Sequence, residues 1–144
     1  MEINIKKLSP TAEIPTTGSK YAAGYDLYAD CEGEFIKAHS TTMIGTGIAL
    51  EIPEGYFGAI FARSGLASKE GLRPANCVGV VDSDYRGEVK VALHNDTNEL
   101  RTVRQGDRIA QLVVMPYLPV EFNVVDELTD TDRGEGGFGS TGKN

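Results

Sequence analysis

Cysteine and histidine are scarce in this 144-residue chain, which has two of each. Cys31 and Cys77 are too few to staple a disulfide scaffold. Neither stands at metal-ligand spacing from a histidine, so both read as reduced thiols. His39 and His94 cannot build an imidazole zinc cage and lie in no recognisable catalytic triplet; each reads as a surface or strand-end side chain. No apolar run approaches the length that crosses a bilayer. The opening "MEINIKKLSP" has no basic flank, apolar centre or small-residue cleavage site of a secretory signal. A cytoplasmic protein without membrane contact is expected. Positive charge is also short: 14 Lys and Arg against 21 Asp and Glu leave a net charge of -7. Sequence-independent binding to DNA or RNA depends on a basic surface that releases counterions, so nucleic acid is not the expected partner. An anionic ligand would need a local cluster of donors, with or without a divalent metal.

What the chain does contain is ordinary for a folded domain, with 40% hydrophobic and 24% charged residues. Its length suits one domain that buries roughly two-thirds of the unfolded chain's surface. The 17 glycines and 6 prolines are spread throughout, and no segment keeps a helical period. In "GIALEIP", Ile48, Leu50 and Ile52 alternate with Ala49 and Glu51 until Pro53 stops the run, the pattern of a strand with one buried face. "YFGAIF", residues 56–61, is apolar on both faces and reads as sandwiched. "EVKVAL" alternates again, with Val89, Val91 and Leu93 on one side. "RIAQLVVM" reads as an interior strand, and "PYLP" breaks the chain before "VEFNVV". The one helical candidate is short, near "GLASKEGL", with Ser64 as its expected cap. Many short strands between turns predict an all-β fold, a jelly-roll-like barrel or sandwich. Apolar patterning ends near Thr129, which divides a β domain (1–128) from a glycine-rich arm (129–144).

Five stretches carry chemistry. In "AAGYDLYAD", residues 22–30, Gly24 suits a bend of positive φ with Asp26 on the strand beyond. "ARSGLASKEGL", residues 62–72, sets Arg63, Ser64 and Gly65 between a strand and a helix start, where a guanidinium fork, a hydroxyl and free N–H groups can receive an anion. "NCVGVVDSDYRGEV" has the form of a β-hairpin whose tip holds Asp82, Ser83, Asp84, Tyr85 and Arg86; Asn76 at its start can donate and accept, as reading a base edge requires. In "GDRIAQL", Gln111 interrupts an apolar strand and needs a partner in the core or on a ligand. The end, "RGEGGFGSTG", offers Arg133 as a cation, Phe138 as a stacking ring and Ser140 and Thr141 as hydroxyl donors among glycines.

In this order and spacing the five stretches resemble the five motifs of the trimeric deoxyuridine triphosphatase family, from about Ala22 to Gly142. Ala62 departs from the family pattern, where many relatives have proline before Arg-Ser-Gly; the change bears on loop stiffness. The resemblance implies hydrolysis of dUTP to dUMP and pyrophosphate, by a homotrimer with shared active sites. It implies that Asn76 and the backbone around Val80, Val81 and Lys90 form a slot for uracil. Tyr85 would stack under the deoxyribose and reject a ribose 2′-hydroxyl. Arg63, Ser64, Gly65 and Gln111 would hold the phosphates, and Asp82 would orient and deprotonate the attacking water. Mg2+ would be held by the triphosphate and waters, with Asp26 steadying those waters and no direct protein ligand. Phe138 would cap the base while Arg133, Ser140 and Thr141 close over the outer phosphates. Two other readings stand beside it: a dCTP deaminase-like enzyme of the same fold, which would need a glutamate where the hairpin has aspartates, and a dUTP-responsive regulator that does not hydrolyse.

Overall fold

A computed structural model describes residues 1–138 of the chain. Its elements are short antiparallel strands and one helical turn, the all-β architecture expected from alternating apolar runs broken by turns. One sheet runs in the order β2 (Tyr25–Tyr28), β11 (Arg108–Pro116), β6 (Tyr56–Phe61) and β8 (Gly79–Val81). A second runs β4 (Thr41–Gly45), β9 (Lys90–Asn95) and β7 (Leu72–Pro74). Two ribbons complete the set: β1 (Asn4–Lys7) with β5 (Ile48–Glu51), and β10 (Arg101–Val103) with β3 (Glu34–Ile36).

The inward residues of these sheets form one core, which includes Leu27, Ile36, Ile44, Ile48, Leu72, Val91, Leu93 and Ile109. Each such side chain contributes about 1.5–3 kcal/mol by leaving water. Along β9 and the residue before it the alternation is as the sequence predicts: Val89, Val91 and Leu93 are buried and Lys90 is exposed. Along β5 it holds for Ile48, Leu50 and Glu51, but Ala49, opposite Lys6 of β1, is buried as well. In β6 three successive residues, Gly58, Ala59 and Ile60, are buried, which fits its apolar composition on both faces. Two polar residues, Thr46 and Asn95, are buried among the described residues, and Asn95 is the more fully bonded. Its amide donates to the carbonyls of Ile36 (2.9 Å) and Glu99 (2.7 Å) and accepts from Thr97 N–H (2.9 Å) and Oγ1 (2.7 Å), so no bonding capacity is wasted.

Three local expectations are corrected. The helical turn is Leu66–Glu70, but Ser64 does not cap it: Ser64 and Gly65 already have helical backbone, and the Ala67 N–H bonds the Arg63 carbonyl at 3.0 Å. Gly24 does not have a positive φ. It instead lies close to the Gln111 side chain, where an added Cβ would push the amide oxygen aside. The stretch from Asn76 to Val89 is not a hairpin between β8 and β9. β8 pairs with β6, whereas β9 pairs with β4 and β7, so the two strands belong to different sheets. Both segments alternate correctly, and alternation does not name a partner.

Beyond β11 the described chain, residues 117–138, contains no strand. It exposes Leu118, Val120, Phe122, Val124 and Leu128, each at least 71% accessible. Among the described residues no helix is long and apolar enough to cross a membrane.

Candidate active site

The two cations of the site converge on one carboxylate. Asp26 lies on β2 opposite Gln111 of β11, and Gln111 also faces Phe61 of β6, so three adjacent strands bring these positions together. Arg63, two residues past the end of β6, donates from Nε to Asp26 Oδ1 at 2.8 Å. Arg108 donates from Nη1 to Asp26 Oδ2 at 3.3 Å. A register shift between Arg108 and Ala110 marks a bulge in β11, a device that re-aims a side chain at the end of a paired strand. Arg63 Nη1 also reaches the Arg108 carbonyl at 3.3 Å. With two guanidinium groups on one carboxylate, the cluster keeps a net positive charge. Gln111 Nε2 donates to the Ala62 carbonyl at 2.8 Å, pinning the residue that precedes Arg63. Gln111 thus meets part of its hydrogen-bonding capacity within the protein and keeps the rest of its half-buried amide for a ligand.

Around this cluster opens a cavity of about 480 Å³, lined among others by Gly18, Asp26, Arg63, Ser64, Gly65, Arg108 and Gln111. The Ser64 hydroxyl makes no hydrogen bond among the described residues and is exposed, as is Gly65 beside it. Arg108 was not singled out in the sequence, although it lies in "GDRIAQL". Only the pairing of β11 with β2 brings it to Asp26.

The aspartate-rich tip lies elsewhere on the same chain. Asp82, Ser83, Asp84 and Arg86 line a cavity of about 1090 Å³, with Val80, Glu51 and Tyr117 among its other walls. The tip is tightly turned: Tyr85 N–H bonds the Asp82 carbonyl at 3.2 Å, and Tyr85 Oη donates to the Glu88 carbonyl at 3.0 Å. Gly87 permits this, since a Cβ there would overlap the Tyr85 ring. Asn76 is exposed, next to a three-residue turn in which Val78 N–H bonds the Asn76 carbonyl (2.7 Å) and Cys77 takes φ 63°. β8 is an edge strand, so backbone groups of the segment around Val80 and Val81 face away from β6 and can meet a ligand. Lys90 is occupied by Glu88 at 3.3 Å. One chain thus gathers Asp26, Arg63, Ser64, Gly65 and Gln111 in one cleft and Asp82 with Val80 in another. Arg133 bonds within its own turn, to the Gly136 carbonyl at 2.8 Å, and Phe138 is fully exposed. Ser140 and Thr141 lie outside the described residues.

The remaining candidates are structural. Cys31 and Cys77 are free thiols, and burial pushes the Cys31 thiol up from its ordinary pKa. His94 shares a hydrogen bond with Thr41 (2.9 Å) and His39 with Asn98 (2.7 Å), both at the ends of strands or turns. Among the described residues no group of three or more His, Cys, Asp or Glu side chains could hold a metal ion.

The family model for dUTPase matches residues 10–142. The chain belongs to the dUTPase family. It is 50% identical over 143 residues to the deoxyuridine 5′-triphosphate nucleotidohydrolase of Nautilia profundicola, covering 99% of this chain and 100% of that protein. It is 47% identical over 138 residues to that of Candida albicans, covering 94% and 85%. Among solved structures, the Staphylococcus bacteriophage 80alpha dUTPase with dUpNHpp superposes with a TM-score of 0.90 at 31% identity and 98% coverage of both chains. A point mutant of the dUTPase from phage phi11 of S. aureus, described with a structural Mg(II) ion, superposes with a TM-score of 0.80 at 27% identity, covering 88% of this chain and 98% of that one. The dUTPase family's fold is thus that of this chain: nearly all β, with a single short helical turn among the described residues.

Proposed function

We propose that the chain hydrolyses dUTP to dUMP and pyrophosphate, as a homotrimer whose active sites are shared between subunits. The observation that carries this reading is the cleft where Arg63 and Arg108 meet over Asp26 with Ser64 and Gly65 beside them, in a chain of the dUTPase family. Such a cleft has the donors that a triphosphate needs, and it compensates locally for a net charge of -7. Sharing is supported by the division of labour within one chain: the donor cleft and the Asp82–Tyr85 tip are separate, so a complete site needs one from each of two subunits. The exposed apolar residues of 117–128 support an assembly that covers them.

The chain's own residues divide the work as follows. Asn76 and the backbone near Val80, Val81 and Lys90 read uracil, and Tyr85 stacks under the deoxyribose. Arg63, Ser64, Gly65 and Gln111 hold the phosphates; Arg108 adds a cation. Asp82 orients the attacking water toward the α-phosphate and takes its proton. Positioning of the water and electrostatic stabilisation of the phosphates supply most of the acceleration in such a transfer. The arm, residues 129–144, closes over the nucleotide: Phe138 caps the base while Arg133, Ser140 and Thr141 cover the outer phosphates and exclude water.

Mg2+ fits this site as a guest of the substrate. When bound, it neutralises phosphate charge and holds the triphosphate in one geometry. Asp26 has an oxygen on each arginine and keeps a lone pair on each, which suits it to accept hydrogen bonds from metal-bound water. We place the protein in the cytoplasm, without nucleic-acid or membrane partners.

The test is to incubate the purified chain with each deoxynucleoside triphosphate and Mg2+ and identify products. Pyrophosphate and dUMP from dUTP alone support the reading. Ammonia from dCTP would favour a deaminase, and tight dUTP binding without product would favour a regulator.

A further inference from the structure

Arg86 has no assigned role, yet it is the most heavily bonded side chain of the Asp82–Tyr85 tip. Its Nη1 donates to the carbonyls of Ser83 (2.7 Å) and Tyr85 (3.1 Å), the two residues that alternate with the acidic positions. Its Nη2 lies 3.5 Å from Glu51 Oε1, at the end of β5. Glu51 is itself held, accepting from Asn4 Nδ2 at 2.6 Å, and Asn4 pairs with Glu51 across the β1–β5 ribbon. A chain of contacts therefore runs from a regular ribbon through Glu51 and Arg86 into the backbone of the tip.

We infer that Arg86, braced by Glu51, is a positioning residue that fixes the Asp82–Tyr85 turn and so aims both the water-orienting carboxylate and the sugar-stacking ring; this rests on the dUTP reading. Three features favour it over a solvated surface arginine. The planar fork lets Arg86 hold two carbonyls from Nη1 and a carboxylate from Nη2, whereas a lysine's three donors share one nitrogen and cannot span both sides of that geometry. Those two carbonyls belong to the turn and point to the guanidinium instead of pairing in a strand. The ion pair is also half exposed, at 54% and 52%, so it adds little to global stability. What the contacts restrict is the geometry of one turn. An error of about 1 Å at such a site costs roughly 100-fold in rate.

The experiment compares the parent, Arg86→Ala, Arg86→Lys and Glu51→Gln for Tm, for kcat and KM with dUTP, and for the ratio of kcat/KM between dUTP and UTP. Arg86→Ala is expected to lower kcat roughly 10- to 100-fold. It should also lower the dUTP-over-UTP ratio at least about fivefold, because the Tyr85 ring loses its fixed height. Its Tm should stay within about 2 °C of the parent. Glu51→Gln should show a smaller change of the same kind, and Arg86→Lys should recover only part of the loss. Unchanged kcat and unchanged discrimination overturn the inference, as does a rate loss matched by a large fall in Tm, or full rescue by lysine. A parent chain that forms no dUMP overturns the functional reading, and this inference with it; an active parent with an indifferent Arg86 overturns the inference alone.

Discussion

Replacing Asp26 by alanine would remove the one anion that holds two arginines in the donor cleft. The Arg63 bond is short, at 2.8 Å, with side-chain exposures of 27% and 15%, so it should count as a charge-assisted bond of about 1.5–3 kcal/mol. The Arg108 bond is longer, at 3.3 Å, and Arg108 is 52% exposed; solvent screening reduces it to about 0.5 kcal/mol. Without Asp26 the two guanidinium groups also lose their common counter-charge. The sum, about 2–3.5 kcal/mol, corresponds in a chain of this size to a Tm lower by about 5–10 °C. Arg63 would no longer be aimed, so kcat/KM for dUTP should drop by roughly 100-fold. Asp26→Asn keeps an acceptor for Arg63 Nε and should fall between parent and alanine in both measures. Differential scanning calorimetry and steady-state turnover decide it. An alanine variant that melts and turns over like the parent refutes the bracing role, and one that loses turnover at full stability leaves Asp26 acting on metal-bound water alone.

Asp82→Asn should still bind a non-cleavable dUTP analogue while kcat falls by about 100- to 1000-fold, measured by calorimetric titration and product release; undiminished turnover removes Asp82 from the reaction. Truncation after Asp132 should lower kcat sharply with little change in Tm, and a large loss of Tm would make the arm part of the fold. Asn95→Ala strips four hydrogen bonds from a fully buried site and should cost about 3 kcal/mol, lowering the urea midpoint by about 1–2 M. The Ser9 hydroxyl, then that of Thr11, holds the Asp30 carboxyl below its ordinary pKa, and Lys7 adds a smaller push. A depressed carboxyl stabilises the fold above its unfolded pKa of about 4 and loses that contribution as pH falls through its lower folded value. Stability below pH 4 should therefore decline less steeply in Asp30→Asn than in the parent, followed by thermal melts across pH.

The architecture was legible because alternation is a local signal: Val89, Val91 and Leu93 reveal their buried face without reference to anything else. Strand partners are not local, which is why residues 76–89 read as a hairpin although β8 joins β6. The same blindness hid Arg108. Its sequence neighbours mark it as a strand end, and only the bulge in β11 and the pairing with β2 bring it to Asp26. Gly24 shows the converse, since a glycine that suggested an unusual φ has an ordinary one and lies against the Gln111 amide. Arg63, Ser64, Gly65 and Gln111 were recognisable from their motifs and do share a cleft. Their distance from the Asp82 tip could not be read from a linear order that places all of them within one chain.

That separation makes subunit complementation the most direct test. Asp82→Asn chains and Arg63→Ala chains, each inactive alone, are unfolded together, refolded as a one-to-one mixture and assayed with dUTP and Mg2+. If each site takes its tip from one subunit and its donor cleft from another, random mixing leaves about a quarter of the sites intact and restores about that fraction of the parent rate. If each subunit holds a complete site, every site in the mixture carries a lesion and the rate stays at the level of the separate variants.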